Sequence, residues 1–136
     1  MNMFIKNAAQ NLRWLLFLPA MLVLSQVAGA QTILDAAKTE AMIKKDPNVQ
    51  LIDLRSKTEL QQTGWIPGAK HINFFGATYE ADIKKLDKQK PIIVYCASGG
   101  RSGEAAAQLV QLGFKKVYDY SGGMYDWRAK GKKTTK

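Results

Sequence analysis

The chain has 136 residues, with 20 lysines and arginines against 11 acidic residues, one histidine and one cysteine. That length suits one domain with one core. The single cysteine excludes an intramolecular disulfide framework and a Cys-x-x-Cys redox pair. The basic residues are scattered or gathered in the tail AKGKKTTK without interleaved aromatics, the pattern of a solvated basic surface that attracts small anions rather than of a nucleic-acid-binding face.

In chain order, residues 1–30 read as a cleavable secretory leader. Lys6 and Arg13 precede or open an 11-residue apolar run, WLLFLPAMLVL, shorter than the roughly 20 residues that cross a bilayer. Ala28-Gly29-Ala30 then places small residues for a cut before Gln31. The expectation is an exported, periplasmic protein whose mature part, residues 31–136, is a single domain without stable membrane association, monomeric, ending in a short basic tail. Removing Lys6 and Arg13 leaves 18 basic residues against 11 acidic ones, a balance of +7. In such a compartment a lone thiol is open to oxidation, so keeping one implies burial or use.

The mature part alternates helical and extended patterns. TILDAAKTEAMIKKD (32–46) has helical spacing and stops at Asp46-Pro47. VQLIDLR (49–55) predicts a strand, and SKTELQQTG (56–64) a short helix closed by Gly64. IPGAKHIN (66–73) is a turn followed by a brief strand, and TYEADIKKLDK (78–88) a helix. PIIVYC (91–96) is a continuous apolar run, as in a central parallel strand. Residues 102–112 carry an apolar helical stripe ended by Gly113. KKVYDY (115–120) predicts a strand and SGGMYDWRAKG (121–131) a turn and a last helix. This alternation predicts an α/β fold with a mostly parallel sheet covered by helices on both faces.

Ligands in such sheets sit outside the carboxyl ends of the strands, and Cys96 stands at that end of the best strand. The stretch Cys96-Ala97-Ser98-Gly99-Gly100-Arg101-Ser102 then runs into a helix, with Ser102 expected as its cap. Unpaired N–H groups at a helix start and in a glycine-rich turn form an anion-binding concavity. Arg101 adds a permanent positive charge. A cysteine so placed favours the thiolate and becomes a nucleophile. Cys96 to Arg101 spans six residues, one fewer than the Cys-x5-Arg cradle that holds a tetrahedral phosphate. The tighter cup suits one extra sulfur and argues against phosphatase or arsenate reductase chemistry.

Three stretches together resemble the rhodanese domain, specifically its small exported single-domain members of the phage-shock type. These are LIDLRSKTELQQTGWIPGAKHIN (51–73), YCASGGRS (95–102) and GGMYDWRAKG (122–131), and the likeness covers residues 32–131. The resemblance implies a rhodanese-like fold with a five-stranded parallel sheet. It implies a two-step sulfur transfer: Cys96 takes the outer sulfur of a donor such as thiosulfate and passes it to a thiol or cyanide. The loop amides from Ala97 to Ser102 would hold the persulfide, and Arg101 the anionic donor. No metal and no organic cofactor is implied. A second reading is a non-catalytic persulfide carrier or interaction module serving a protein partner. Trp65 stands where the family usually has histidine, at the expected site entrance.

Other residues have weaker claims. Asp53 and Arg55 suit either loop support or a structural ion pair, the latter with Glu59 as one candidate partner. His71 and Trp127 fit structural roles better than catalytic ones.

Overall fold

The residues that bury both faces of a strand define the middle of the sheet. In the computed structural model, which describes residues 29–136, Ile92–Tyr95 forms a fully buried strand, β4. Of the leader expected at 1–30, residues 1–28 lie outside the described part. The other strands are β1 (Thr32–Ile33), β2 (Gln50–Asp53), β3 (Lys70–His71) and β5 (Val117–Asp119). They pair in the order β1-β5-β4-β2-β3, and every pairing is parallel. Among the described residues, four helices connect them, α1 (Ala36–Lys45), α2 (Lys57–Thr63), α3 (Tyr79–Lys84) and α4 (Gly100–Gln111), and α5 (Gly123–Ala129) follows β5.

The period of two along the strands sorts the core into two layers. Ile52, Ile92, Val94 and Val117 face α3 and α4, where Tyr79, Ile83, Ala105, Ala106 and Leu109 meet them. Leu51, Ile93 and Tyr95 face the other way, against Ala36 of α1 and Met124 and Trp127 of α5. Each large side chain buried in this way contributes about 1.5–3 kcal/mol. Among the described residues no helix is long and apolar enough to cross a membrane.

Two helices depart from their sequence patterns. The helix expected from residue 32 begins at Ala36, capped by Asp35, whose carboxylate accepts the Lys38 N–H at 2.8 Å. Thr32 and Ile33 instead form the fifth strand, pairing with Tyr118 and Asp119. This edge strand has no buried residue, so its own sequence carries no alternation to read. The third helix is also shorter than expected, ending at Lys84.

β4 lies between β2 and β5, and the chain leaves these strands in opposite directions. After β2 it moves outward to β3 at one edge, and after β4 it moves to β5 on the other side. Loops that diverge in this way open a crevice at the carboxyl end of the sheet. Cys96 is the first residue beyond β4.

Candidate functional site

Cys96 is 1% exposed. Its sulfur accepts the Gly99 N–H at 3.1 Å, and its thiol faces the Ser102 hydroxyl at 3.8 Å. Burial pushes the thiol pKa up. The backbone N–H groups of Ser102, Gly99 and Ser98 and the Ser102 hydroxyl outweigh that cost, and the net shift is below the ordinary cysteine value. These donors exist because α4 starts here: its first turn leaves N–H groups without an intrahelical partner, and the first helical bond runs from Gly103 N to Gly99 O at 3.0 Å. The Cys96 sulfur thus lies beside N–H groups of its loop and of the start of α4.

Two glycines make the turn fit. Gly99 sits at φ 101°, and a Cβ there would lie 2.5 Å from the Ser121 carbonyl oxygen. Gly123 sits at φ 62°, and a Cβ there would lie 2.5 Å from the Cys96 carbonyl oxygen and 2.7 Å from that of Ala97. Absence of a side chain lets the start of α5 come up against the loop. Met124 N–H then donates to the Cys96 carbonyl at 2.9 Å, and Tyr125 N–H to the Ala97 carbonyl at 3.1 Å. With both carbonyls held on the α5 side, the loop amides are left to face the sulfur. The late Gly-Gly-x-x-x-Trp motif is therefore part of the site's frame. Trp127, 3% exposed, anchors that helix in the core.

The loop residues divide by position. Ala97 is buried and Ser98 exposed. Gly100 and Arg101 already belong to α4. Ser102 is therefore not the helix cap expected from the sequence: Gly99 holds that position, in a left-handed conformation without a side-chain cap. Ser102 lies one turn into the helix, fully buried, donating its hydroxyl to the Gly99 carbonyl at 3.2 Å.

Arg101 is clasped by Glu59 of α2, with two hydrogen bonds of 2.8 Å each. Such bidentate pairs fix orientation as well as charge. Arg101 holds the Glu59 carboxyl far below its usual range, at about 2, against the opposing effect of burial. The Glu59 pairing raises the Arg101 pKa, and the neighbouring Cys96 contributes to the same shift. The guanidinium thus spans from Glu59 toward the thiol.

Asp53 and Arg55 pair with each other at 2.7 Å, both almost completely buried, and Glu59 is not their partner. Arg55 also donates to Thr63 Oγ1 at 2.7 Å and to the Gly64 carbonyl at 2.8 Å. His71 Nε2 donates to the Arg55 carbonyl at 2.6 Å, a structural use, as expected. The Asp53–Arg55 pair therefore secures the end of α2, and α2 in turn carries the carboxylate that clasps Arg101. Trp65 does not join the Cys96 loop. It lines a separate cleft of about 590 Å³ with Asp53, Lys57, Gln61 and His71, and its backbone is bridged to Thr135. Among the described residues, no cluster of histidine, cysteine and carboxylate side chains is placed to hold a metal.

Sequence reasoning missed Glu59 as the partner of Arg101, Gly123 as the close contact under the loop, and Asp119, which lies buried at the end of β5 facing Ser102. Glu59 carried one readable signal, the Ser-x-x-Glu capping box, which the structure contains in full.

Comparison with known proteins agrees with this frame. The profile of the family described as "Rhodanese-like domain" matches residues 35–130. Thiosulfate sulfurtransferase GlpE of Coxiella burnetii is 34% identical over 85 residues, 62% of this chain and 77% of that protein. Thiosulfate:glutathione sulfurtransferase of Saccharomyces cerevisiae is 34% identical over 98 residues, 65% of this chain and 70% of that protein. Among solved structures, the polysulfide-sulfur transferase homodimer of Wolinella succinogenes superposes with a TM-score of 0.68 at 28% identity, covering 77% of this chain and 78% of that one. A five-stranded parallel sheet that ends in a cysteine under helix-start amides, with a profile match spanning the whole unit, places this chain in the rhodanese-like domain family of sulfurtransferases.

Proposed function

We propose that the protein is a thiosulfate-type sulfurtransferase that carries sulfur as a Cys96 persulfide. The observation that carries this reading is the Cys96 sulfur, 3.1 Å from the Gly99 N–H, with its thiol held below the ordinary range by the loop amides and Ser102. In the first half-reaction the thiolate attacks the outer sulfur of thiosulfate. A sulfur–sulfur bond forms at Cys96, the bond to the sulfonate sulfur breaks, and its electron pair leaves with sulfite. In the second, a thiolate or cyanide attacks the outer persulfide sulfur, and the electron pair of that bond returns to Cys96. The N–H groups of Ala97 to Ser102 hold negative charge on sulfur at each stage. Arg101, with N–H groups left over from Glu59, meets the anionic donor.

Burial of Cys96 to 1% exposure means that an acceptor meets the outer sulfur of the persulfide rather than the cysteine itself. That suits a small thiol or cyanide as acceptor. We assign the activity to an exported monomer, with the leader at 1–30 supporting a periplasmic location and a mature chain starting at Gln31.

Intact mass tests this reading. After incubation with thiosulfate and removal of the excess, the exported protein is expected to weigh as residues 31–136 plus about 32 Da, one sulfur on the nucleophile. Cys96→Ser is expected to show the same start and no gain. An unchanged wild-type mass with a reactive thiol would refute thiosulfate as the donor.

A further inference from the structure

Asp119 ends β5 on the side of the sheet that faces α4, two positions after the core residue Val117. It is 3% exposed, and among the described residues no salt bridge includes it. Its Oδ1 is the one buried side-chain nitrogen or oxygen among the described residues without a hydrogen-bond partner. Native cores rarely leave such an atom without a reason, and an apolar residue here would serve packing better. Its neighbours say what the reason is. The carboxyl lies against the first turn of α4: a Cβ on Gly103 would lie 3.6 Å from Oδ2, and the Ser102 side chain is a neighbour of the same group. That hydroxyl is in turn 3.8 Å from the Cys96 sulfur. Asp119, Ser102 and Cys96 thus form a buried series beneath the loop.

We propose that Asp119 is a positioning residue that acts on Cys96 through Ser102: as a neutral acid it donates to the Ser102 oxygen, and the Ser102 hydroxyl then directs its own hydrogen at the Cys96 thiolate. In the thiol state the sulfur's hydrogen points to Ser102, and Ser102 donates to the Gly99 carbonyl at 3.2 Å. When the proton leaves Cys96 for solvent, the Ser102 hydrogen turns from that carbonyl to the sulfur. The serine oxygen is then free to accept from Asp119. No covalent bond other than the thiol S–H changes. Burial pushes the Asp119 carboxyl above its ordinary pKa, against the opposing effect of the Ser102 hydroxyl. The charged groups around Cys96 are Arg101 on α4 and, behind it, Glu59 on α2, which neutralise each other. An ionised Asp119 would instead draw the serine hydrogen away and oppose the thiolate. The role rests on Cys96 working as a thiolate, as in the function proposed above, where the thiolate is both nucleophile and, in the second half-reaction, leaving group.

The test is the thiol pKa, read from the pH dependence of Cys96 alkylation, with urea midpoints for folding. Asp119→Leu and Asp119→Ala are expected to raise the thiol pKa by about one unit, roughly a tenfold slower alkylation at neutral pH. Asp119→Leu should match or exceed the wild-type urea midpoint, because it removes an unsatisfied buried group. Ser102→Ala should give a similar rise, and the Asp119→Leu/Ser102→Ala double variant no more than the serine change alone. Asp119→Asn, whose amide still donates to Ser102, should stay close to wild type. The proposal is overturned if folded Asp119→Leu or Asp119→Ala keeps the wild-type thiol pKa, or if Asp119→Asn shifts as far as they do. No sulfur donor enters this measurement. The expected shifts in a protein that gains no mass from thiosulfate would uphold Asp119's role while refuting the donor.

Discussion

At the residue scale, the pair that decides the shape of the site is Arg101 with Glu59. An arginine after a reactive cysteine reads as an anion binder, yet two of its N–H groups are committed to a carboxylate 42 positions earlier. Glu59 therefore aims Arg101 as much as it neutralises it. The pair also sets an acid limit. The Glu59 carboxyl is held at about 2 in the folded protein by Arg101, well below the ordinary 4.5. A depressed carboxyl contributes stability that is present above its unfolded pKa and is lost as pH falls through its folded pKa. The urea midpoint is thus expected to decline between pH 4.5 and about 2. Glu59→Gln should flatten part of that slope. For a partly exposed pair the loss is about 1 kcal/mol. An unchanged slope in Glu59→Gln would assign the acid sensitivity to other carboxylates.

At the element scale, the site is a meeting of three helix starts and one strand end, and Gly123 is where the closest approach occurs. Gly123→Ala places a methyl 2.5 Å from the Cys96 carbonyl oxygen and puts a non-glycine residue at positive φ, which costs about 1–2 kcal/mol in conformation alone. The expected result is a folded protein with a lower melting temperature and a displaced loop. Its sulfur uptake should fall further than that of a Trp127→Phe variant matched in melting temperature. Equal uptake in the two would mean that α5 only fills the core. This contact also marks how far the sequence could be read. β4, α4 and the Cys96 loop were legible because local patterns encode them: an apolar run, a stripe at helical spacing, a glycine-rich turn. The Gly-Gly-x-x-x-Trp motif was legible as a motif, but the docking of its amides on Cys96 and Ala97 depends on tertiary packing. β1 was not legible because an exposed two-residue edge strand borrows its conformation from β5. Asp119 was hidden because an acid in VYDY reads as the polar half of an alternation, whereas here both faces of the sheet are covered.

At the scale of the whole molecule, the C-terminal segment is part of the folded unit. The sequence reads AKGKKTTK as a solvated basic tail, but the structure docks it. Trp65 and Thr135 exchange two backbone hydrogen bonds of 2.9 Å. Trp127 Nε1 donates to the Lys133 carbonyl at 2.9 Å. Lys132 pairs with Glu40 of α1 and lies 5.4 Å over the Trp127 ring. The segment thereby joins α1, α5 and the turn after α2, on the layer of the core opposite Cys96. The three hydrogen bonds at Thr135 and Lys133 are each worth about 1 kcal/mol, partly offset by the entropy of ordering five residues. A net loss of about 2 kcal/mol on deleting Lys132–Lys136 corresponds to a fall of roughly 10 °C in the melting temperature of a domain of this size. Sulfur uptake by Cys96 at low temperature should persist in the truncated protein, because none of the deleted residues touches the loop. A thermal scan of the truncated and full chains decides the matter. A shift below about 2 °C would mean that the docked tail adds no net stability. A large shift with intact sulfur uptake would show that the basic end closes the far side of the molecule and leaves the sulfur site to the loop.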